Sequence, residues 1–433
     1  EKTMYKRFAP VVFLCVVRLF AQQAPAPELL QGVASRPPLK LQDFLTMADR
    51  NNPTLQQAAA LVRRSQAEAA QAALYPNPSV GYEGDQIRGG SYGGGEQGGF
   101  VAQTIVLGGK LGLRRDIYQQ QKHSDQIAVE AQEKRVHSEV TQMFYRALSA
   151  QQMVLVRGRL LGLATDAVET ARQLANVGQA DSPDVLQAEV EQEQAAIDYT
   201  VSQREFMQRF KSLAAVAGTP ATEIAPLDGA LDAPPAIDEA RIVDTIVQQG
   251  PTVKEAQQQV AVAEARLKAA KKEVIPDLQL RAGEQQNLEA LPEAPGRKTG
   301  AQSFASVGIE LPLWNRNQGN QQAASADLEE ARQETTRSQL SLRRDAEGLL
   351  QNYLSAKLET ERYRTALLPR ARRAYELYLA KYQNMAQAYP QVIVSQRTLF
   401  ELEVRYIDAL DRMWQNAIAL QNDTLQGGLE KPR

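Results

Sequence analysis

The chain is short of the residues that do chemistry. Among 433 residues there are two histidines, one cysteine and 6% aromatics. His123 and His137 lie on one helical stretch about 20 Å apart along its axis, so they cannot share a metal within one chain. No cluster of His, Cys and carboxylate at ligand spacing, no triad and no paired acid appears in the sequence. No enzymatic activity, cofactor or metal centre is therefore expected. Gly93-Gly94-Gly95 lacks the following Lys-Ser/Thr of a phosphate loop and reads as an exposed loop. Charge of one sign is missing too: 51 acidic residues nearly cancel 49 basic ones, which removes any global electrostatic reason for a nucleic-acid partner. Also lacking is an apolar run of about 20 residues, so no helix is expected to span a bilayer, and strands must do so if the chain enters one.

The N-terminus indicates export. Lys2, Lys6 and Arg7 precede an apolar run from Phe8 to Val17, and Phe20-Ala21-Gln22 offers a small-residue cleavage point. Residues 1–21 are read as a signal peptide and 22–40 as a flexible segment. Cys15 follows Leu14, where lipidation requires a small residue, so it belongs to the signal core and the mature chain has no thiol chemistry.

What is abundant is Ala, Gln, Glu, Arg and Leu in long runs, a composition for extended helices. The two halves match at an offset of roughly 200 residues, giving a first repeat over 41–219, a connector rich in Pro and Asp over 220–240, a second repeat over 241–425 and a tail over 426–433. Asn52-Pro53-Thr54-Leu55 and Gly250-Pro251-Thr252-Val253 each open an Ala-rich helix with proline at its start, where the missing N–H costs nothing. Tyr75-Pro76-Asn77-Pro78 and Ile275-Pro276-Asp277-Leu278 end those helices. Two-faced segments follow. Val80 and Tyr82 alternate with Ser79, Gly81 and Glu83, and a Gly-rich turn leads into Phe100 through Leu107. In the second half Leu278, Leu280 and Ala282 alternate with Gln279, Arg281 and Gly283, and Ala305, Val307, Ile309 and Leu311 with Ser306, Gly308 and Glu310. Hairpins are thus expected at about 78–107 and 277–312, of the roughly ten-residue length that crosses a bilayer at a tilt. Four strands cannot close a barrel, and open edges cannot face lipid, so several chains must share one.

Beyond each hairpin the pattern predicts a very long helix, about 111–176 and 319–383, and a return helix, about 183–218 and 390–425. Leu186, Val190, Ile197 and Val201 are spaced 4, 7 and 4, a heptad seam for helix pairing, and Leu399, Leu402, Tyr406 and Met413 continue the pattern in the second half.

These residues resemble the outer-membrane efflux proteins typified by TolC, and within them the CzcC-like branch of heavy-metal and drug pumps. The resemblance runs from about Leu41 to Leu425. It rests on the segment 41–53, the strand openings at 75–78 and 275–277, the corners Leu107-Gly108-Gly109-Lys110 and Leu311-Pro312-Leu313-Trp314-Asn315-Arg316, and the hairpin tip 177–189. It implies a mainly α fold: an internally duplicated α-barrel of long helices in the periplasm, with four strands per chain completing the twelve-stranded β-barrel of a homotrimer. The partners it implies are a periplasmic adaptor (membrane fusion) protein, an inner-membrane pump of the RND type and outer-membrane lipid.

By that resemblance Val177-Gly178-Gln179 form the adaptor-contact tip, while the second tip, Gln383-Asn384-Met385, departs from the Gly-bearing pattern. Asp181 and Asp184 are candidates for a periplasmic gate or selectivity ring, although Asp184 also suits the N-terminal dipole of a helix. The second tip has no acid between Leu377 and Gln396, and Tyr382 and Tyr389 are gate candidates there, with ordinary helix packing as the competing role. Tyr75 and Trp314 border the hairpins as candidate membrane-interface anchors, a role that corner packing also explains. The expected function is a passive exit duct. A non-conducting periplasmic coiled-coil scaffold is the alternative, disfavoured because a scaffold has no need of lipid-facing strands.

Overall fold

The structure is a computed structural model that describes residues 36–87, 95–178, 181–290, 293–294, 296–383 and 389–431. The expected signal peptide and Cys15 lie outside the described residues.

The element order is the same twice. The first half runs β1 (Leu39–Lys40), α1 (Leu41–Asn51), α2 (Pro53–Ala72), β2 (Ser79–Asp85), β3 (Glu96–Ile105), α3 (Lys110–Asn176) and α4 (Ser182–Val216). The second runs β4 (Leu227–Asp228), α5 (Ile242–Gln249), α6 (Pro251–Lys272), β5 (Leu278–Ala290), β6 (Lys298–Ile309), α7 (Gln318–Arg362), α8 (Leu368–Gln383) and α9 (Tyr389–Gln421). Proline punctuation works as expected. Pro53 sits in the first turn of α2, capped by Asn52, whose side chain accepts from the Thr54 N–H at 2.9 Å, and Pro251 opens α6. At 67 residues α3 is about 100 Å long and joins the sheet to the far tip.

One long helix departs from expectation. The stretch expected as continuous over 319–383 is interrupted by a π turn, Tyr363–Leu367, after which the Leu368 N–H bonds back to the Tyr363 carbonyl. Pro369 follows at once, and its missing N–H removes an α-helical bond at this point. The segment 22–40 is not wholly loose either. Leu39 and Lys40 pair in parallel with Leu227 and Asp228 of the connector, and Arg36 donates to the Ile224 carbonyl at 2.9 Å.

The main core sits at mid-height, where α1, α3, α4, α7 and α9 meet the connector. Phe44 contacts Phe144 and Phe210 with ring centroids 6.1 and 5.9 Å apart. Trp414 stacks on Tyr145 at 3.5 Å and donates its indole N–H to the Leu231 carbonyl at 2.7 Å, which ties the connector down. The three phenylalanine rings, fully buried, contribute roughly 2–3 kcal/mol each. Away from this belt, many of the buried side chains are Ala or Ser, such as Ala58, Ser65, Ala128, Ala188 and Ala195, which lets helices lie close side by side.

Candidate functional site: barrel wall and helical tips

The four long strands form one antiparallel sheet in the order β2-β3-β5-β6, so the two hairpins join through β3 and β5. The register assigns every side chain to a face. On one face lie Val80, Tyr82, Val101, Ile105, Leu278, Leu280, Ala282, Ala305, Val307 and Ile309. Val80 and Val307 on it are 79% and 70% exposed, so no described residue covers this apolar surface. The opposite face carries Glu83, Asp85, Glu96, Gln285, Asn287, Gln302 and Arg281. There Glu96 accepts from Gln285 at 2.6 Å and Asn287 at 2.8 Å, and Arg281 pairs with Glu83. Apolar outside and polar inside is the pattern of a membrane barrel wall. Among the described residues no strand pairs with the outer edge of β2 or of β6.

The apolar face continues below the strands. Leu74, Tyr75, Leu107, Leu311, Leu313 and Trp314 are all exposed at the strand-to-helix corners, with Trp314 at 87%. Tyr75 and Trp314 thus lie on the two corner segments, between α2 and β2 and between β6 and α7.

Sequence reading did not single out the bond that fastens this corner. Gly108 and Gly109 both adopt the left-handed conformation (φ 70° and 72°), turning the chain sharply from strand to helix. This turn buries the first residue of α3. The Lys110 ammonium reaches the Asp277 carboxylate at 2.6 Å and the Ile275 carbonyl at 2.9 Å, and the Leu107 N–H donates to the same carboxylate at 3.1 Å. Burial alone would raise the Asp277 carboxyl, but the Lys110 bond, the Leu107 N–H and the charges of Lys110 and Arg114 outweigh it and hold it below its ordinary value. The two repeats are latched here.

In the tip half, helix neighbours run in the order α4, α3, α9, α8. Arg172 to Glu189 (2.6 Å) and Arg157 to Asp198 (2.7 Å) clamp α3 to α4, and Glu403 of α9 accepts from Arg159 of α3 and Arg372 of α8. Among the described residues the heptad seam of α4 pairs with no other helix. α4 packs on α3 through Ala188, Ala195 and Ser202, while Leu186, Val190, Ile197 and Val201 lie exposed on its other side. The period was legible, but a smaller seam took the internal contact. Leu399 and Met413 of α9, by contrast, are buried.

At the first tip Gly178 ends α3 with φ 70°, leaving Val177 69% exposed. Gln179 lies outside the described residues. Asp181 is the N-cap of α4 and Asp184 its third residue; the Asp181 N–H donates to the Asp184 carboxylate at 3.3 Å, and both acids are exposed. At the second tip Tyr382 is half-buried near the end of α8 and Tyr389 is the first residue of α9, its side chain outside the described residues. His137 meets Asp49 at 2.6 Å, and no metal-holding group of His, Cys, Asp and Glu occurs among the described residues.

Comparison with known proteins agrees with this geometry. The cobalt-zinc-cadmium resistance protein CzcC of Cupriavidus metallidurans is 23% identical over 384 residues, covering 88% of this chain and 89% of the relative. Among solved structures, CusC superposes with a TM-score of 0.72 at 18% identity, covering 89% of this chain and 92% of that one. VceC of Vibrio cholerae gives 0.71 at 16% identity, over 90% and 97%. The family model described as outer membrane efflux protein matches residues 44–219 and 242–423, the two repeats in turn. Channels of this family form trimers in tripartite efflux systems, with the barrel in the outer membrane and the helices in the periplasm. With that match over most of its length, and a barrel wall to go with it, the chain belongs to the outer membrane efflux protein family.

Proposed function

We propose that three copies of this chain form the exit duct of a tripartite system, passively conducting small solutes or metal ions received from a periplasmic adaptor and an inner-membrane pump of the RND type. The observation that carries this reading is the four-stranded sheet with one apolar face and two unpaired edges. In the ring, β2 of one chain pairs with β6 of the next, and the exposed seam of α4 meets the neighbour's α8, the helix at the other side of the tip half. Such heterologous contacts close into a ring when the rotation matches.

Val177, Gly178 and Gln179 present the adaptor contact, since a helix ending in a left-handed glycine offers an exposed apolar knob. Asp181 and Asp184, three copies of each, favour cations at the periplasmic end, with Tyr382 and Tyr389 narrowing the second tip. Asp184 also serves the helix start. Tyr75 and Trp314 anchor the inner interface of the membrane. The resemblance to a cobalt-zinc-cadmium resistance protein favours divalent cations as cargo.

Outer-membrane detergent extracts should contain a heat-resistant trimer that conducts in planar bilayers, and recovery of a soluble rod would refute the channel. Asp181→Asn with Asp184→Asn should reduce cation preference in single-channel recordings. Unchanged selectivity would remove both from the gate.

A further inference from the structure

The polar face of the sheet can be read row by row from the outer end. Asp85, Glu96 and Asn287 share the first row; Glu83, Gln285 and Gln302 the second; Gly81, Phe100, Gly283 and Phe304 the third; Ser79, Ala102, Arg281 and Ser306 the fourth. The third row alternates glycine with phenylalanine, and the glycines are occupied. A Cβ on Gly81 would stand 2.5 Å from Cζ of Phe100, and one on Gly283 would stand 2.8 Å from Cζ of Phe304. Both rings therefore lie flat against the wall, each over a glycine of the neighbouring strand.

Arg281 rises from the fourth row between them. Its guanidinium carbon is 4.0 Å from the Phe100 ring centre and 5.6 Å from that of Phe304, and it pairs with Glu83. Its Nε is shut away from solvent without a hydrogen-bond partner, so packing rather than full hydrogen bonding holds the side chain here. Along the unbroken register this face has three carboxylates, Glu83, Asp85 and Glu96, and one cation, Arg281. Barrels of about 8 strands are filled by their own side chains, whereas those of about 16 leave an aqueous channel. In a shared barrel of intermediate size, the side chains of the inner face line the bore.

The geometry points to a collar in the β-barrel, formed by Phe100, Phe304 and Arg281 of three protomers, that selects passing ions by size and charge. Gly81 keeps it open by giving the Phe100 ring a place to lie, and Arg281 offsets Glu83 so that the collar does not add to the cation preference of the acidic row above it. This rests on the trimeric channel reading, and it acts at the opposite end from the helical tips.

The test isolates the barrel from the tips by working from outside intact cells. Thr104→Cys places a thiol on the polar face one row inward of Arg281, and Val101→Cys places one on the apolar face. Each is labelled with small and bulky methanethiosulfonates, cationic or anionic, and only variants recovered as heat-resistant trimers are compared. Gly81→Ala should push the Phe100 ring into the bore and slow labelling of Thr104→Cys by the bulky reagents several-fold. Adding Phe100→Ala to Gly81→Ala should restore the rate. Arg281→Gln should raise the ratio of cationic to anionic labelling several-fold, and Arg281→Lys should leave it near the parent value. Labelling of Thr104→Cys that is indifferent to these changes overturns the collar alone. Labelling of Val101→Cys without Thr104→Cys would invert the faces and overturn the channel reading itself.

Discussion

Replacing Asp277 with Ala leaves the Lys110 ammonium, only 4% exposed, with a single carbonyl for company. Replacing Lys110 with Met leaves a carboxylate that is 29% exposed and still accepts from the Leu107 N–H. The two halves of one ion pair should therefore differ in cost. Stranding a buried charge typically costs about 3–5 kcal/mol. Loss of a charge-assisted bond to a group that water reaches costs less, about 1–2 kcal/mol after discounting for exposure. A difference of about 2 kcal/mol is roughly 30-fold in a rate. Unfolding of such trimers is read as a rate, so the assay is loss of the heat-resistant band in detergent at fixed temperature. Asp277→Ala should lose it fastest, Lys110→Met more slowly, and the double variant should fall short of the sum of the single effects. The pH dependence has a definite sign. Because the folded carboxyl lies below its ordinary value of 3.8, its stabilisation is fully present above that pH and fades as pH falls through the folded value. Below that, the parent should approach Asp277→Ala. Equal losses from the two single variants, or additive ones, would refute the latch.

Three further outcomes follow from other parts of the molecule. Val190→Asp or Ile197→Asp puts a carboxylate on the exposed seam of α4 and should cost several kcal/mol per interface, abolishing the trimer on gels while leaving helix content by circular dichroism intact; a persisting trimer would place the subunit contact elsewhere. Trp314 and Trp414 are the two tryptophans, and Trp414 is only 5% exposed, so in a Trp414→Phe background emission from Trp314 should shift to the blue on reconstitution and be quenched by brominated lipid; emission indifferent to lipid would remove Trp314 from the interface. Burial pushes the Asp411 carboxyl up, against the opposing charges of Arg209 and Arg146, so its ionisation weakens the fold as pH rises above 3.8. Asp411→Asn keeps acceptors for Ser149 and Gln415 and should raise the thermal midpoint by a few degrees at neutral pH, with the gap closing as pH falls toward that value.

Much of this architecture is visible in the chain before folding, because its signals are local. Alternation at 79–85 and 278–284 fixes strand faces, and Pro53, Pro76, Pro251 and Pro276 mark where helices start or stop. What escaped depends on distant or ambiguous partners. Lys110 and Asp277 each look like ordinary corner residues until the order β3-β5 brings them together. The two-residue pairing of Leu39 with Leu227 is too short to have a period. In α4, two seams with heptad spacing compete for one internal contact, and the Ala/Ser seam wins because it lets α3 approach closely. At the tips, Asp181 and Asp184 announce a helix start as clearly as a gate, because both roles ask for exposed carboxylates at the same place.

The bare edges of β2 and β6 also have a genetic consequence. A protomer cannot enter the bilayer alone, since each orphan edge would carry unsatisfied amides into hydrocarbon, so insertion and assembly must be one event. A variant that spoils only the β6 edge still offers a sound β2 to its neighbour and is drawn into mixed rings. Expressed equally with the intact gene, it leaves roughly one ring in eight free of defects, making such alleles dominant poisons rather than silent losses.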